Sequence, residues 1–449
     1  MSEKIILVGA GLAGSLLSVY LAKKGYQVEI FERRPDMRKN SIGAGRSINL
    51  ALSTRGIHAL KEVGLYEEIM KIAIPMKGRM IHNHSGELQF LPYGKNDLEV
   101  INAVSRGDLN MRLMDLAEQN KNVKIHFNER CTGMNFSTGE VHLTNEVSSE
   151  FHIEKGRTVI GTDGSASAIR MDMLKIGRFN FSQSYLEHGY KELTIPAGDH
   201  GKFLLEKNAL HIWPRKTYML IALPNVDGSF TCTLFYPMEG ENSFETLKTK
   251  PQVQAFFQKE FPDALALMPT LLEDYFTNPV GTLITVKCSP WYVEDKVALL
   301  GDAAHAIVPF FGQGMNCAFE DCTYLNECID SFGPNWETVF QEYEKLRKIN
   351  ANAIADLAVE NFYEMRDRVS DPLFILKKKI EHVLEEKFPG IFVPKYTMVS
   401  FMRVPYATAV QRGLVQDFIL NELIIGIESV EDIDLIKAEK LIRDNLNPL

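Results

Sequence analysis

The sequence predicts an α/β fold with three parts: a domain built on a parallel sheet, an inserted mixed or antiparallel sheet, and a C-terminal helical region. Three observations predict it. A glycine-rich turn at Gly9–Gly14 lies between an apolar run and a helical pattern. A second glycine-rich loop follows another apolar run at Gly301–Gly314. Alternating apolar and polar residues lie between the loops, and long helical periodicity follows the second one.

The first of these elements opens with "KIILVG", an apolar run long enough for a buried parallel strand. Gly9, Gly11 and Gly14 then follow at the GxGxxG spacing, and a helical pattern continues to Gly25. The next strand, "QVEIFER", carries Glu32 near its end and completes a strand–helix–strand unit. Such a unit holds a dinucleotide diphosphate at the helix start and a ribose hydroxyl at the acidic residue.

This unit alone does not distinguish a nicotinamide dinucleotide from FAD. Arg33 and Arg34 would suit the ribose phosphate of NADP, and in the alternative they cover an adenine or face solvent. The cofactor-binding candidates of the unit share its turn or the end of its second strand: Gly9, Gly11, Ala13, Gly14, Glu32, Arg33 and Arg34.

The second loop, "GDAAHAIVPFFGQGMN", favours FAD. Asp302 follows a strand, at the edge of the sheet where ligand crevices form. A helix is predicted to begin near Met315 and Asn316, with backbone N–H groups available to an electron-rich ring. A third stretch, "VIGTDGSASAIR", places Asp163 after another apolar strand. Two distant loops can hold the two ends of one long cofactor.

Together these three motifs resemble those of the single-component flavoprotein aromatic hydroxylases, whose fold contains a Rossmann-like FAD-binding domain. The resemblance implies that Arg106 in "SRGDLN" reaches the FAD. Ala51, in a stretch flanked by Arg46 and Arg55, lines the flavin edge or packs in the core, and both alternatives stay open. Cys131 likewise packs near the adenine or in plain core. The remaining cofactor candidates are Ala51, Arg106, Cys131, Asp163, Gly301, Asp302, Gly312, Met315 and Asn316.

Five further stretches are similar to the kynurenine 3-monooxygenase branch of that family: "GRSINLALSTRG", "MKGRMIH", "LPYG", "ENFYEMRD" and "PKYTMVSF". This similarity implies that Arg79, Tyr93, Asn361 and Tyr396 hold the amino-acid end of L-kynurenine. The residue chemistry fits, because a planar guanidinium binds a carboxylate and two hydroxyls with an amide complete a polar shell.

The resemblance also implies a reaction. NADPH, a transient co-substrate, reduces bound FAD, O₂ forms a flavin C4a-hydroperoxide, and L-kynurenine becomes 3-hydroxy-L-kynurenine. No catalytic side chain is expected, because the flavin performs the difficult step. Pro309, Phe310 and Phe311 are candidates for a wall beside the flavin, and His305 is expected to support the loop. The alternatives are a hydroxylase of another aromatic acid and a non-catalytic flavin-binding partner protein.

Charge and composition exclude other classes. The net charge of −9 argues against a general nucleic-acid binder. None of the six cysteines forms a CxxC pair, and no metal site is expected. No apolar run reaches about 18 residues, so we expect no membrane span and a form without the C-terminal anchor of membrane-bound relatives. We expect a cytoplasmic protein, and a homo-oligomer stays open.

The motifs also predict the domain organisation. The expected FAD-binding domain is discontinuous and comprises 1–72, 102–178 and 286–332. The expected substrate-binding sheet domain comprises 73–101 and 179–285, and a C-terminal helical region comprises 333–449.

Overall fold

The computed structural model describes residues 3–39, 49–96, 98–368 and 371–449, with the backbone alone at 367 and 368. The chain divides into two compact units. Unit 1 comprises Met1–Ala73, Val104–Leu186 and Leu283–Ala355. Unit 2 comprises Ile74–Ala103, Glu187–Thr282 and Asp356–Leu449.

Strands occur throughout the first two thirds of the chain. In chain order they are β1 (Lys4–Val8), β2 (Gln27–Glu32), β3 (Asn49–Leu52), β4 (Ile74–Met76), β5 (Gly78–His82), β6 (Leu88–Pro92), β7 (Ile101–Ser105), β8 (Val123–Phe127), β9 (Glu129–Asn135), β10 (Glu140–Asn145), β11 (Phe151–Lys155), β12 (Thr158–Gly161), β13 (Asn180–Ile195), β14 (Ala209–Arg215), β15 (Tyr218–Pro224), β16 (Phe230–Pro237), β17 (Val280–Ser289), β18 (Tyr292–Val293) and β19 (Val297–Leu299).

Helices connect the strands and then form the last third of the chain. In chain order they are α1 (Leu12–Lys23), α2 (Thr54–Val63), α3 (Tyr66–Met70), α4 (Arg106–Glu118), α5 (Ala168–Met173), α6 (Lys250–Glu260), α7 (Pro262–Leu265), α8 (Leu271–Thr277), α9 (Asp302–His305), α10 (Gly314–Phe332), α11 (Trp336–Tyr363), α12 (Pro372–Lys387), α13 (Lys395–Ser400), α14 (Tyr406–Leu423) and α15 (Leu435–Asn445). A π-helical segment, Glu364–Arg368, follows α11, and Pro309–Phe311 forms a 3₁₀ turn.

Unit 1 is built on a six-stranded sheet in the order β18-β19-β12-β1-β2-β8. The pairs from β19 to β8 are parallel, and only the β18–β19 pair is antiparallel. The central strand β1 is apolar at successive positions because Ile5, Ile6 and Leu7 are fully buried. The sheet and its helices share one apolar core, which includes Leu16 of α1 and Phe319 of α10. A separate antiparallel sheet in the order β11-β10-β9 also belongs to this unit.

Unit 2 contains a seven-stranded mixed sheet in the order β17-β13-β16-β15-β14-β5-β6. Strands β14 and β5 pair in parallel, whereas β13–β16, β15–β16, β14–β15 and β5–β6 are antiparallel. Trp213 of β14 and Phe230 of β16 pack with Phe257 of α6 in one core. A second apolar cluster joins α12, α14 and α15 through residues such as Leu384 and Ile442.

The predicted fold class is confirmed: an α/β fold with a mixed sheet inserted and helices at the C-terminal end. The division into three domains stays a prediction. The structure has two units: α11 begins in unit 1 and ends in unit 2, and the chain from Asp356 onward belongs to the same unit as the mixed sheet. The assignment of FAD binding and substrate binding to particular segments stays a prediction. Among the described residues, no helix combines the length and apolar character that crossing a bilayer requires.

Candidate cofactor and substrate sites

The first glycine turn of unit 1 is shaped by close backbone contacts. Gly9 has a φ of +101°, and a Cβ there would lie 2.7 Å from the carbonyl oxygen of Thr162. A Cβ at Gly14 would lie 2.1 Å from the oxygen of Gly9, so α1 packs on the turn only without a side chain. Gly11 differs, because a Cβ there would meet no atom within 4 Å. The turn therefore leaves its open side at Gly11, directly before the start of α1.

Glu32 is buried at the end of β2 and connects that strand to the turn. Its Oε2 accepts a hydrogen bond from the Ala10 N–H at 2.9 Å, and its Oε1 accepts one from Arg34 Nε at 2.8 Å. Burial alone would raise the pKa of Glu32, but the bonds from Arg34 and Ala10 lower it. Arg34 is thus paired with Glu32 although its side chain is 55% exposed, and Arg33 is also exposed to solvent. The Arg34 backbone N–H and Nη2 also donate to Glu32, at 2.9 and 3.3 Å, which fills the about four acceptor positions of a carboxylate. A ribose hydroxyl would therefore bind Glu32 only by replacing one of these bonds.

Asp163 follows β12 and lies beside the first turn. Its Oδ2 accepts a hydrogen bond from the Ala168 N–H at 2.7 Å. Its Oδ1 is buried and has no hydrogen-bond partner among the described residues. Burial raises the pKa of Asp163, and burial followed by the charge of Asp163 raises the pKa of Cys131 to about 12. The Cys131 thiol is therefore neutral and close to Asp163, next to an acceptor that a ligand hydroxyl could satisfy.

The second loop begins at Gly301, whose φ of +62° and close approach to Ala318 both require glycine. Asp302 follows as the first residue of α9. Its side chain is accessible to solvent but surrounded by protein atoms, and this loss of bulk water raises its pKa. The positive charges of Arg106 and His305 act in the opposite direction. The structure thus brings Asp302 and Arg106 into electrostatic range within unit 1.

The end of the second loop is fastened to β3 by Asn316. The Asn316 Nδ2 donates to the carbonyl oxygen of Ala51 at 2.7 Å, and its Oδ1 accepts from the Ser53 N–H at 2.9 Å. A Cβ at Gly312 would lie 2.7 Å from the Ala51 Cβ. Because the Asn316 side chain already hydrogen-bonds to the backbone of Ala51 and Ser53, any cofactor contact at this position would come from the backbone at the start of α10. Met315 is buried beside it.

Beneath the loop, five buried side chains form an ionic network. His305 Nε2 lies 2.6 Å from Asp321 Oδ2, and Arg347 donates to Asp321 and Glu320 at 2.7 Å each. Arg55 donates to the other oxygen of Glu320 at 2.6 Å. His305 thus supports the loop as expected. Arg55, at the end of the stretch that contains Ala51, is fully buried in this network, and Arg46 lies outside the described residues.

In unit 2, three of the four predicted substrate residues meet. The Arg79 Cζ of β5 lies 5.7 Å from the ring centre of Tyr93 and 5.4 Å from that of Tyr396. The two rings stack at 5.4 Å with an angle of 11° between their planes. The Arg79 side chain is 12% exposed, and its Nε has no hydrogen-bond partner among the described residues. A mostly buried guanidinium with an unused donor is suited to an anionic ligand group.

The electrostatics of this cluster keep its groups in useful protonation states. Burial would lower the pKa of Arg79, but Tyr396, Tyr93 and Glu364 raise it, and the net shift is upward. Burial raises the pKa of Tyr93 and Tyr396. Both hydroxyls are therefore protonated donors beside a permanent cation. Asn361 is buried on α11, with its Nδ2 3.4 Å from the Met365 sulfur.

Comparisons with known proteins agree with this arrangement. Residues 3–356 match the family model described as FAD binding domain. The chain is 55% identical over 446 residues to a kynurenine 3-monooxygenase of Myxococcus xanthus (strain DK1622), covering 99% of this chain and 96% of that relative. It is 46% identical to a kynurenine 3-monooxygenase of Dictyostelium discoideum, covering 100% and 99% of the two chains.

This chain belongs to the kynurenine 3-monooxygenase family. Members are FAD-dependent monooxygenases, so the predicted enzyme class and the FAD cofactor are confirmed. NADPH is a co-substrate typical of this family, and its use by this chain stays a prediction. The fold is also that of 2-methyl-3-hydroxypyridine-5-carboxylic acid oxygenase, with a TM-score of 0.67 at 19% identity, covering 84% of this chain and 96% of the oxygenase. A probable FAD-dependent monooxygenase from Pseudomonas aeruginosa, pqsL, gives 0.65 at 19% identity, with 82% and 98% coverage.

The unit 1 residues of this kynurenine 3-monooxygenase family member fit FAD. The open side of Gly11, the unpaired Asp163 Oδ1 and the accessible Asp302 carboxylate are the groups that a diphosphate and hydroxyl chain would need. The individual contacts of the predicted cofactor and substrate residues stay predictions.

Sequence reasoning missed two residues. Arg170 of α5 donates from Nη1 to the Ala303 carbonyl oxygen at 2.7 Å and from Nη2 to the Ser165 carbonyl oxygen, which joins the second and third motifs. Glu364 lies 3.7 Å from Arg79. The one signal for Glu364 was its place three residues after Asn361 in "ENFYEMRD", because residues at that spacing share a helix face.

Proposed function

We propose that this protein hydroxylates L-kynurenine to 3-hydroxy-L-kynurenine, with FAD as bound cofactor and NADPH and O₂ as co-substrates. The observation that carries the proposal is the mostly buried Arg79 beside two tyrosine rings that stack on each other. It occurs in a chain whose relatives at 42–55% identity are kynurenine 3-monooxygenases. A carboxylate-binding cation beside protonated hydroxyls suits the amino-acid end of that substrate.

The cofactor would be held by groups that unit 1 presents at three places. The turn at Gly11 would bind the diphosphate, and Asp163 and Glu32 would bind hydroxyl groups of the cofactor. The second loop, with Asp302, would bind the half of FAD that carries the flavin. When bound, FAD would supply the redox chemistry, because it can be reduced by NADPH and can then activate O₂. Phe310 and Phe311, buried in the 3₁₀ turn after Pro309, are our candidates for the wall that excludes water from the flavin ring.

The substrate would be held by unit 2. We assign Arg79 to the substrate carboxylate through two parallel N–H···O bonds, and the hydroxyls of Tyr93 and Tyr396 to the same group. Asn361 would contribute an amide. These contacts fix one end of the substrate, which limits the orientations open to its aromatic ring. A cytoplasmic location and a homo-oligomer stay predictions.

The test is NADPH oxidation by the purified protein supplied with FAD, with and without L-kynurenine. We expect L-kynurenine to stimulate oxidation and 3-hydroxy-L-kynurenine to accumulate. A panel of hydroxybenzoate-like acids lacking the amino-acid end serves as the control. FAD binding with stimulation by one of those acids, and none by L-kynurenine, would overturn the substrate assignment.

A further inference from the structure

We infer that Glu364 binds the α-ammonium group of the substrate and thereby makes the unit 2 site specific for α-amino acids. The inference deepens the proposed function and rests on it, because it takes Arg79 as the carboxylate-binding residue. It assigns to Glu364 a role that the four predicted substrate residues leave unfilled.

Glu364 lies beside Arg79, and both side chains keep hydrogen-bonding capacity. The closest atoms, Arg79 Nη1 and Glu364 Oε1, are 3.7 Å apart, which is too long for a hydrogen bond. The Glu364 side chain remains 28% exposed, and Arg79 Nε is buried without a partner among the described residues. The contact is therefore a long ion pair, which leaves hydrogen-bonding capacity on both side chains for a ligand beside them.

The chemistry of an α-amino acid requires such a pair. Its ammonium and carboxylate are attached to the same carbon atom, so a residue that binds one lies next to a residue that binds the other. Arg79 is a donor-only cation and Glu364, when ionised, is an acceptor-only anion. Tyr93 and Tyr396 are protonated hydroxyls and carry no charge that could neutralise an ammonium.

The charges around the site favour a ligand of zero net charge. Lys378 lies near Arg79 and Glu364 and pairs with Glu381 at 2.9 Å. Two cations and two carboxylates therefore cancel before a ligand binds. A zwitterion preserves that balance, whereas an aromatic acid without an amino group adds an uncompensated negative charge to a mostly buried site.

The backbone also marks this position. Glu364 is the first residue of the π-helical segment that follows α11, and π-helical turns are rare and often occur at functional sites. Asn361 lies about one helical turn earlier, so the amide of Asn361 and the carboxylate of Glu364 lie on the same helix face.

The test measures binding and does not depend on turnover. Dissociation constants of L-kynurenine and of its analogue lacking the α-amino group are measured calorimetrically on the FAD-loaded wild type and on Glu364→Gln. We expect the variant to bind L-kynurenine about tenfold more weakly or worse, and the analogue within about twofold of wild type. The matched control is Glu381→Gln, which makes the same change at another carboxylate near Lys378. We expect it to alter the dissociation constants of both ligands by less than about twofold.

Each outcome decides a different claim. Equal loss for L-kynurenine and the analogue in Glu364→Gln means that Glu364 only supports Arg79, and the inference fails. Normal L-kynurenine binding in that variant also overturns it. If wild type binds L-kynurenine but does not hydroxylate it, the proposed function fails while the binding comparison still decides the role of Glu364. If wild type does not bind L-kynurenine, both fall.

Discussion

The two candidate sites are built in different ways. In unit 1 the groups offered to a ligand are mainly backbone amides and glycine surfaces in short stretches, and the large charged side chains bind one another, as Arg347 binds Glu320 and Asp321. In unit 2 the offered groups are long side chains from separate elements, as with Arg79 of β5 and Tyr396 of α13. From this difference we predict that the buried ionic network of unit 1 serves mainly stability, whereas the side chains around Arg79 serve ligand binding.

The largest effect is expected at Gly14. Gly14→Ala places a Cβ 2.1 Å from the Gly9 oxygen, so the turn must shift and FAD should be lost. Gly11→Ala meets no protein atom and occupies a φ of −70°, so the fold should keep its thermal midpoint. It should nevertheless bind FAD more weakly, because the methyl group stands where the diphosphate approaches. Flavin absorbance per chain and thermal melting check both variants. Normal FAD affinity in Gly11→Ala would contradict the assignment of the diphosphate to this turn.

A second prediction concerns the buried network of unit 1. Arg347→Met leaves Glu320 and Asp321 without their shared cation, and we expect a loss of about 3–5 kcal/mol in the free energy of unfolding. Urea unfolding measures it. Arg443→Met breaks an exposed pair with Glu439 in unit 2 and should cost less than about 1 kcal/mol. Similar losses in the two variants would remove the contrast between the units.

A smaller free-energy change, but a specific one, is expected at Arg79. Arg79→Met removes the carboxylate contact and should raise the KM for L-kynurenine about 100-fold, corresponding to about 2.7 kcal/mol. FAD content should be unchanged, since Arg79 belongs to unit 2. Unfolding stability should change by less than about 1 kcal/mol, because the Arg79 Nε makes no hydrogen bond with the described residues. Steady-state kinetics and urea unfolding check the split. A large stability loss with normal KM would assign Arg79 to structure.

The contrast between units also explains what the sequence could predict. The β1–α1–β2 unit was predictable because its glycine spacing and apolar runs are local, and Gly9 and Gly14 have the tight packing expected of them. The long helix after residue 333 was predictable from periodicity, and the structure has α11 there. Its π-helical end was not predictable, because no local residue pattern distinguishes Glu364–Arg368 from a continuing helix.

Long-range contacts account for the remainder. The partner of Arg55, Glu320, lies 265 residues away, so no local pattern could show that this α2 side chain joins a buried network. Glu364 was missed for the same reason, because its proposed role depends on its contact with Arg79, which lies on a strand distant in sequence. The meeting of Arg79, Tyr93 and Tyr396 was expected from family resemblance and not from spacing, because their elements converge only in the tertiary structure.

The origin of the oxygen atom in the product tests the proposed hydroxylation. The FAD-loaded protein is supplied with NADPH and L-kynurenine under isotopically labelled O₂ in ordinary water, and the product is analysed by mass spectrometry. We expect 3-hydroxy-L-kynurenine carrying one labelled oxygen atom. Product without the label, or consumption of NADPH that yields no hydroxylated kynurenine, would contradict it.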